Sequence, residues 1–161
     1  MEPDPKGAVP GHEHYMRRAL ERARQAARNG NRPVGSLIVR DGEILAEGEN
    51  AMFTGLDPSA HAEVVAIRQA CARLGTLDLS GTTLYSTLEP CPMCFWCMQE
   101  ARIGRLVLGG RYAGIGRSIG RYSVETAQEF TGYRLEVVTG VLQEECEALR
   151  NDWARGRRET R

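Results

Sequence analysis

Two short stretches carry residue types that can do chemistry together: His61-Ala62-Glu63 and, further along, Pro90-Cys91-Pro92-Met93-Cys94. Zinc prefers tetrahedral nitrogen and sulfur ligands, and a catalytic zinc takes three from the protein while keeping the fourth position for water. His61, Cys91 and Cys94 supply that number. The C-x-x-C spacing puts both thiols on one side of the first turn of a helix, and Pro92 suits an early helical position that needs no amide donor. The positive end of that helix then lies at the metal and favours the thiolates it requires. His61 and Glu63, separated by one residue, would diverge on the flank of a helix, so they converge only at a helix end. Glu63 is expected to act as a proton carrier and not as a ligand. Water on zinc has a pKa of about 7, and an adjacent carboxylate can move its proton to a leaving group.

Cys97 extends the second stretch to C-x-x-C-x-x-C, a pattern also compatible with an iron–sulfur ligand set or a structural zinc knuckle. Against this, Cys97 stands beside Phe95, Trp96 and Met98, where a cysteine ordinarily packs as a small hydrophobe. A structural site would make the chain a catalytically silent, zinc-stabilised interaction module. It would recruit a fourth ligand such as Cys97, and it would have no use for a carboxylate at Glu63.

The elements that must position these residues follow from pattern. Asp57-Pro58-Ser59-Ala60 is a turn and cap signal, followed by an apolar-periodic run through Val64, Val65, Ile67, Ala70, Cys71 and Leu74 up to Gly75. Runs 34–39 and 44–49 flank Asp41-Gly42, a strong hairpin signal. Asn50 closes the second run, either as a turn former or with its amide reading the edge of a ring. Run 82–88 is a strand delivering Pro90 and the cysteines, whose helix extends to about Arg102. A short strand at 106–108, a glycine-punctuated loop, a strand at 133–138 and a closing amphipathic helix at 142–154 complete the pattern. An opening helix starts at Tyr15 and stops at Asn29-Gly30, behind a disordered tail at residues 1–12 rich in proline and glycine. Strands alternating with helices after a hairpin make residues 13–161 one α/β domain, a three-layer α/β/α sandwich on a mixed sheet. Both ligand-bearing helices start at strand ends, where open α/β folds place ligands.

Composition bounds the partners. With 161 residues the chain makes one domain, and a formal net charge of zero removes any global pull toward nucleic acid. Five cysteines, an odd number, suit a reducing cytoplasm better than a disulfide framework, and no membrane-length apolar run is present. The arginines that end the chain, Arg155, Arg157, Arg158 and Arg161, are read as a solvated helix end or a weak polyanion contact.

With these residues in place the chain resembles the cytidine deaminase superfamily, whose signature joins H-x-E to P-C-x-x-C. The branch most similar is that of bacterial tRNA wobble adenosine deaminases, with fungal cytosine deaminases and guanine deaminases close by. The likeness runs through PVGSLIV, DPSAHAEVVAIRQA, TTLYSTLEPCPMC, ARIGRLVLGG and VTGVLQEECEALRNDW. It implies a five-stranded sheet between helices, a homodimer, and hydrolytic replacement of a ring amino group by a carbonyl. It further implies Zn2+ on His61, Cys91 and Cys94, Glu63 as proton shuttle, and Asn50 with the Ala62 backbone positioning the base.

Departures from the tRNA branch bear on substrate. Where that branch has small residues after the second cysteine, this chain has Phe95-Trp96-Cys97, and where it has A-R-D-A-K-T-G-A this chain runs from Gly110 to Arg117 with Tyr112 and Gly114 at the acidic and lysine positions. Loss of the lysine removes a phosphate partner. The expected partner is therefore a small nucleobase, nucleoside or similar aminated heterocycle, with RNA, as wobble adenosine, the alternative. Asp152 and Trp153 of the closing helix are candidate substrate contacts, by accepting from an amino group and by stacking, or an exposed acid and a packing aromatic.

Overall fold

The computed structural model describes residues 10–159, of which the side chains at 158 and 159 are not described. The tail expected at residues 1–12 lies almost wholly outside the described residues, and α1 (His12–Arg28) already occupies its last position. The hairpin follows as β1 (Gly35–Arg40) and β2 (Glu43–Glu49). Asp41 and Gly42 between them both take positive φ, 51° and 79°, the backbone of the turn that matches strand twist. After a short α2 (Met52–Gly55) come α3 (Ala62–Leu74), β3 (Thr83–Leu88), α4 (Pro92–Glu100), β4 (Arg105–Gly110), α5 (Val124–Thr131), β5 (Glu136–Val138) and α6 (Gln143–Glu159).

The five strands lie in the order β2-β1-β3-β4-β5, with β1 antiparallel to both neighbours and β3, β4 and β5 parallel. Alternation along each strand divides the interior in two. Leu37, Val39, Tyr85 and Val107 face α1 and α6, whereas Ile38, Leu84, Leu106 and Leu108 face α3 and α4. The expected three-layer sandwich on a five-stranded mixed sheet is therefore the observed one. Among the described residues no helix is long and apolar enough to cross a membrane.

Two elements differ from the sequence expectation. Helix α5 falls in a stretch with no periodic pattern long enough to announce it. It is nucleated locally by Ser123, whose Oγ accepts from Thr126 N–H while the Thr126 side chain bonds back to Ser123, a capping box with threonine in the third position. Strand β5 holds only three residues of the expected 133–138 run, because the backbone before it is engaged elsewhere: Leu135 N–H turns back to the Tyr133 carbonyl, and Gln128 Nε2 donates to the Tyr133 and Leu135 carbonyls.

Helix α3 lies on β2 with almost no side-chain thickness between them. A Cβ added at Gly48 would overlap the Ala62 carbonyl and stand 2.7 Å from Ala66 N, and Gly35 meets α1 in the same way at Ala19 and Ala23. These glycines set the depth at which the helices rest, and the first turn of α3 is the one that carries the site. Backbone offers no flexible end to move aside, so Gly48→Ala is expected to cost about 3 kcal/mol, the upper part of the usual overpacking range. Urea unfolding of the zinc-loaded protein reads this directly, and an unchanged midpoint would show that α3 has room to shift.

Candidate active site

All three candidate ligands stand at the N-terminal end of a helix. His61 is the N-cap of α3 and Cys91 that of α4, both with extended backbone, while Cys94 is buried in the first turn behind Pro92. Neither helix has a side chain capping its N-terminus. Asp57, expected as a cap, instead closes the turn before the helix, its Oδ1 accepting from Ser59 N–H and Oγ–H at 2.8 and 2.7 Å. The turn brings His61 over the end of β3, and Cys91 arrives there from the strand itself.

The resulting trio is compact. Cys91 Sγ and Cys94 Sγ are each 3.5 Å from His61 Nδ1 and 3.6 Å from one another. Tetrahedral bonds of about 2.3 Å to sulfur and about 2.0–2.1 Å to nitrogen require edges of about 3.8 Å between sulfurs and about 3.5 Å between sulfur and nitrogen. The donor set fits zinc, with Nδ1 as the histidine ligand. Among the described residues this is the one such group of histidine, cysteine and carboxylate ligands. The hydrogen bond with Cys94 is the largest influence holding the Cys91 thiol down near 4, with His61 helping, whereas the same contact and burial push Cys94 up.

Glu63 lies in the first turn of α3, 3% exposed, and reaches the same point. Its Oε1 is 3.0 Å from Ser86 Oγ on β3, and Cys94 Sγ–H donates to Oε2 at 3.6 Å. Burial pushes its carboxyl above the ordinary range.

A narrow cleft of about 40 Å³ opens onto these groups. His61, Glu63 and Asn50 form its inner part with Val34 and Leu88, and Arg32, Tyr112, Arg117 and Arg150 surround its mouth. Asn50 makes the expected turn and also lines the cleft. Its Oδ1 accepts from Met52 N–H at 3.1 Å, a turn that leaves the amide NH2 as the group free to read a ring, and the residue lines the cleft. Ala62 is fully buried between His61 and Glu63, with its carbonyl against Gly48. Its N–H, at the first helical position, has no intrahelical acceptor.

The closing helix departs from expectation. Asp152 is not in the cleft: it is exposed and ion-paired to Arg155, three residues along the same helix. Trp153 does not line the cleft either, but the guanidinium of Arg150, which does, rests 4.8 Å from its ring centre. Phe95 is a core residue, edge-on to Tyr133. Trp96 faces outward on α4, half exposed.

Sequence reasoning passed over the arginines of the cleft, Tyr112 and Glu89. Glu89, 4% exposed at the end of β3, accepts from Arg111 Nε at 3.1 Å, Tyr112 N–H at 3.3 Å and Val124 N–H at 3.0 Å. It thereby ties the 111–124 loop to the strand that delivers the cysteines, and Tyr122 adds a bond from its hydroxyl to the Pro90 carbonyl. The one sequence signal for this role was an acid immediately before the cysteine motif that begins at Pro90.

A family model, that of the cytidine and deoxycytidylate deaminase zinc-binding region, matches residues 10–110. The chain is 40% identical over 134 residues to the tRNA-specific adenosine deaminase of Bacillus subtilis, covering 83% of each. Among solved structures it is similar to one from a study of A-to-I editing by tRNA:A34 deaminases at the wobble position, with TM-score 0.75, 33% identity and coverage of 84% of this chain and 98% of that one. It is also similar to a guanine deaminase from Nitrosomonas europaea, with TM-score 0.80, 26% identity and coverage of 91% and 86%.

Cys97 is half-buried on α4, packed against the core and outside the ligand trio. Metal analysis of Cys97→Ala should therefore return the same zinc content as the parent, about one per chain, while Cys91→Ala and Cys94→Ala fall well below it. Loss of zinc from Cys97→Ala would mean a closed, four-ligand structural site.

Proposed function

Since the chain belongs to the cytidine and deoxycytidylate deaminase zinc-binding family, we propose that it acts as a hydrolytic deaminase on adenosine at the wobble position of a transfer RNA. The observation that carries this substrate is the 40% identity to a tRNA-specific adenosine deaminase across 83% of both chains. It outweighs the preference for a small heterocycle drawn from zero net charge, because a sum over the whole chain says nothing about where charge is placed. A free purine base is the second reading, supported by the likeness to a guanine deaminase and by the narrowness of the cleft.

Zinc would be held by His61, Cys91 and Cys94 and would supply a water acidic enough to serve as nucleophile at neutral pH. Glu63, its carboxyl raised by burial, carries the two protons of that water in turn, the first to a ring nitrogen and the second, from the hydroxyl left on the ring carbon, to the amino group. The carbon–nitrogen bond breaks, ammonia leaves, and the ring carbon keeps the oxygen as a carbonyl. Ser86 orients the carboxylate from β3. Asn50 offers its amide NH2 to a ring nitrogen or oxygen, and the Ala62 N–H stands beside it as a second donor. Val34 and Leu88 provide apolar walls for the base.

A homodimer is part of the same proposal. Trp96 is 50% exposed and Phe130 92% exposed, and with Pro92 and Tyr122 they line one apolar groove between α4 and α5. Sedimentation at micromolar concentration is expected to give the dimer mass, and a monomer throughout would contradict it. The five cysteines are all free thiols, which supports a reducing, cytoplasmic setting.

Glu63→Gln should keep its zinc and lose turnover by about 10⁴-fold, the top of the range for a positioned proton carrier. Near-parental rates in this variant would remove Glu63 from the mechanism. For substrate, ammonia release is compared between an anticodon stem-loop containing wobble adenosine and free guanine, adenine, cytosine and their nucleosides. Turnover of the stem-loop is expected, and turnover of free guanine with none of the RNA would replace this reading with the second.

A further inference from the structure

Three arginines from distant parts of the chain meet at the mouth of the cleft: Arg32 before β1, Arg117 in the loop after Gly116, and Arg150 on α6. None of the three forms an ion pair among the described residues, whereas Arg18, Arg73, Arg105 and Arg111 each hold a carboxylate. The two carboxylates of the cleft are otherwise engaged, Glu63 with Ser86 and Cys94, and Glu89 with Arg111. Arg32 and Arg150 are held in place by aromatic faces, at 5.7 Å from Phe53 and 4.8 Å from Trp153. Both guanidinium pKa values are lowered, first by burial and next by repulsion from the neighbouring arginines, Arg117 acting on each.

Grouping like charges, partly out of water, costs free energy that a chain of zero net charge has acids enough to avoid. An anion between them offsets that cost, and the planar guanidinium fork suits phosphate oxygens in particular. The inner cleft is already matched to a neutral ring, so an anion at the mouth belongs to another part of the same substrate. No lysine stands at Gly114, but Arg117, three residues on, lines the cleft.

Resting on the deaminase reading above, we infer that Arg32, Arg117 and Arg150 form a collar that binds a phosphate carried by the nucleotide whose base is deaminated. The phosphate comes either from an RNA backbone or from a free nucleotide. In both cases the collar selects nucleotides over unphosphorylated nucleosides and free bases.

The test uses the zinc-loaded protein and Arg32→Gln, Arg117→Gln and Arg150→Gln, each checked for zinc content. Ammonia release is measured with the wobble-adenosine stem-loop, with AMP, GMP and CMP, and with the matching nucleosides. Fluorescence polarisation follows binding of the labelled stem-loop, and its competition by the monophosphates, without requiring turnover. Each variant is expected to lose at least tenfold in kcat/KM on the phosphate-bearing substrate, through KM, and the preference for nucleotide over nucleoside should shrink by the same factor. For RNA the salt dependence of binding should weaken by about one unit of log–log slope per arginine. Lysine at the same positions should restore part of the affinity, which separates charge from fold.

A response with the stem-loop alone assigns the collar to a strand phosphate. A response with a monophosphate, when the RNA is neither bound nor turned over, keeps the collar and removes the wobble-adenosine reading. Turnover of the stem-loop with KM and salt slope unchanged in all three variants overturns the collar and leaves that reading standing. Failure of the parent protein to bind either the RNA or any monophosphate overturns the collar as well.

Discussion

Three ligand atoms have to come within 3.5–3.6 Å of each other from two helices that are separated in sequence by a whole strand and its connections. Everything around the site serves that closeness. His61 and Cys91 sit at cap positions, where the backbone is still extended and the side chain can turn inward past the end of the helix. The sheet supplies the common reference. Helix α4 follows β3 directly, and α3 is pressed onto β2 at Gly48 with no Cβ to hold it off. Since β1 joins β2 to β3 by antiparallel ladders, the two helix ends inherit their relative position from the register of three strands.

The same arrangement gathers charge. Two uncapped helix N-termini point at the site, which favours thiolates and an ionised shuttle. Burial opposes ionisation at Glu63, which leaves its carboxyl raised above the ordinary range. Further out, Glu89 neutralises Arg111 and fastens the 111–124 loop, so the loop can present Tyr112 and Arg117 to the cleft without an acid of its own there. Positive charge is thus concentrated at the mouth of the cleft on a protein that is neutral overall.

Much of this was legible in the residues. The candidate ligand trio and the adjacent carboxylate follow from H-x-E and P-C-x-x-C, because tetrahedral zinc and the geometry of a helix's first turn leave few other ways to use those spacings. The Asp41-Gly42 hairpin, the Gly75 stop of α3 and the strand before Pro90 were equally plain, being written in local backbone preference and in apolar alternation. Helix α5 was not, since it is one capping box and two turns inside a glycine-rich stretch.

The sequence by itself therefore determined the reaction centre, since its parts lie within a few residues of one another and obey short-range rules. Tertiary structure alone decided what surrounds it. Arg32, Arg117 and Arg150 stand far apart in the chain and in no shared motif, so each taken alone reads as a solvated arginine. Asp152 shows the reverse: weighed as a substrate contact or an exposed acid, it is the exposed acid, paired with Arg155, while Arg150 on the same helix lines the cleft. Where α6 lies over the sheet is set by its packing against β4 and α1, so which of its polar residues meets the cleft is a long-range outcome that its own amphipathic pattern does not encode.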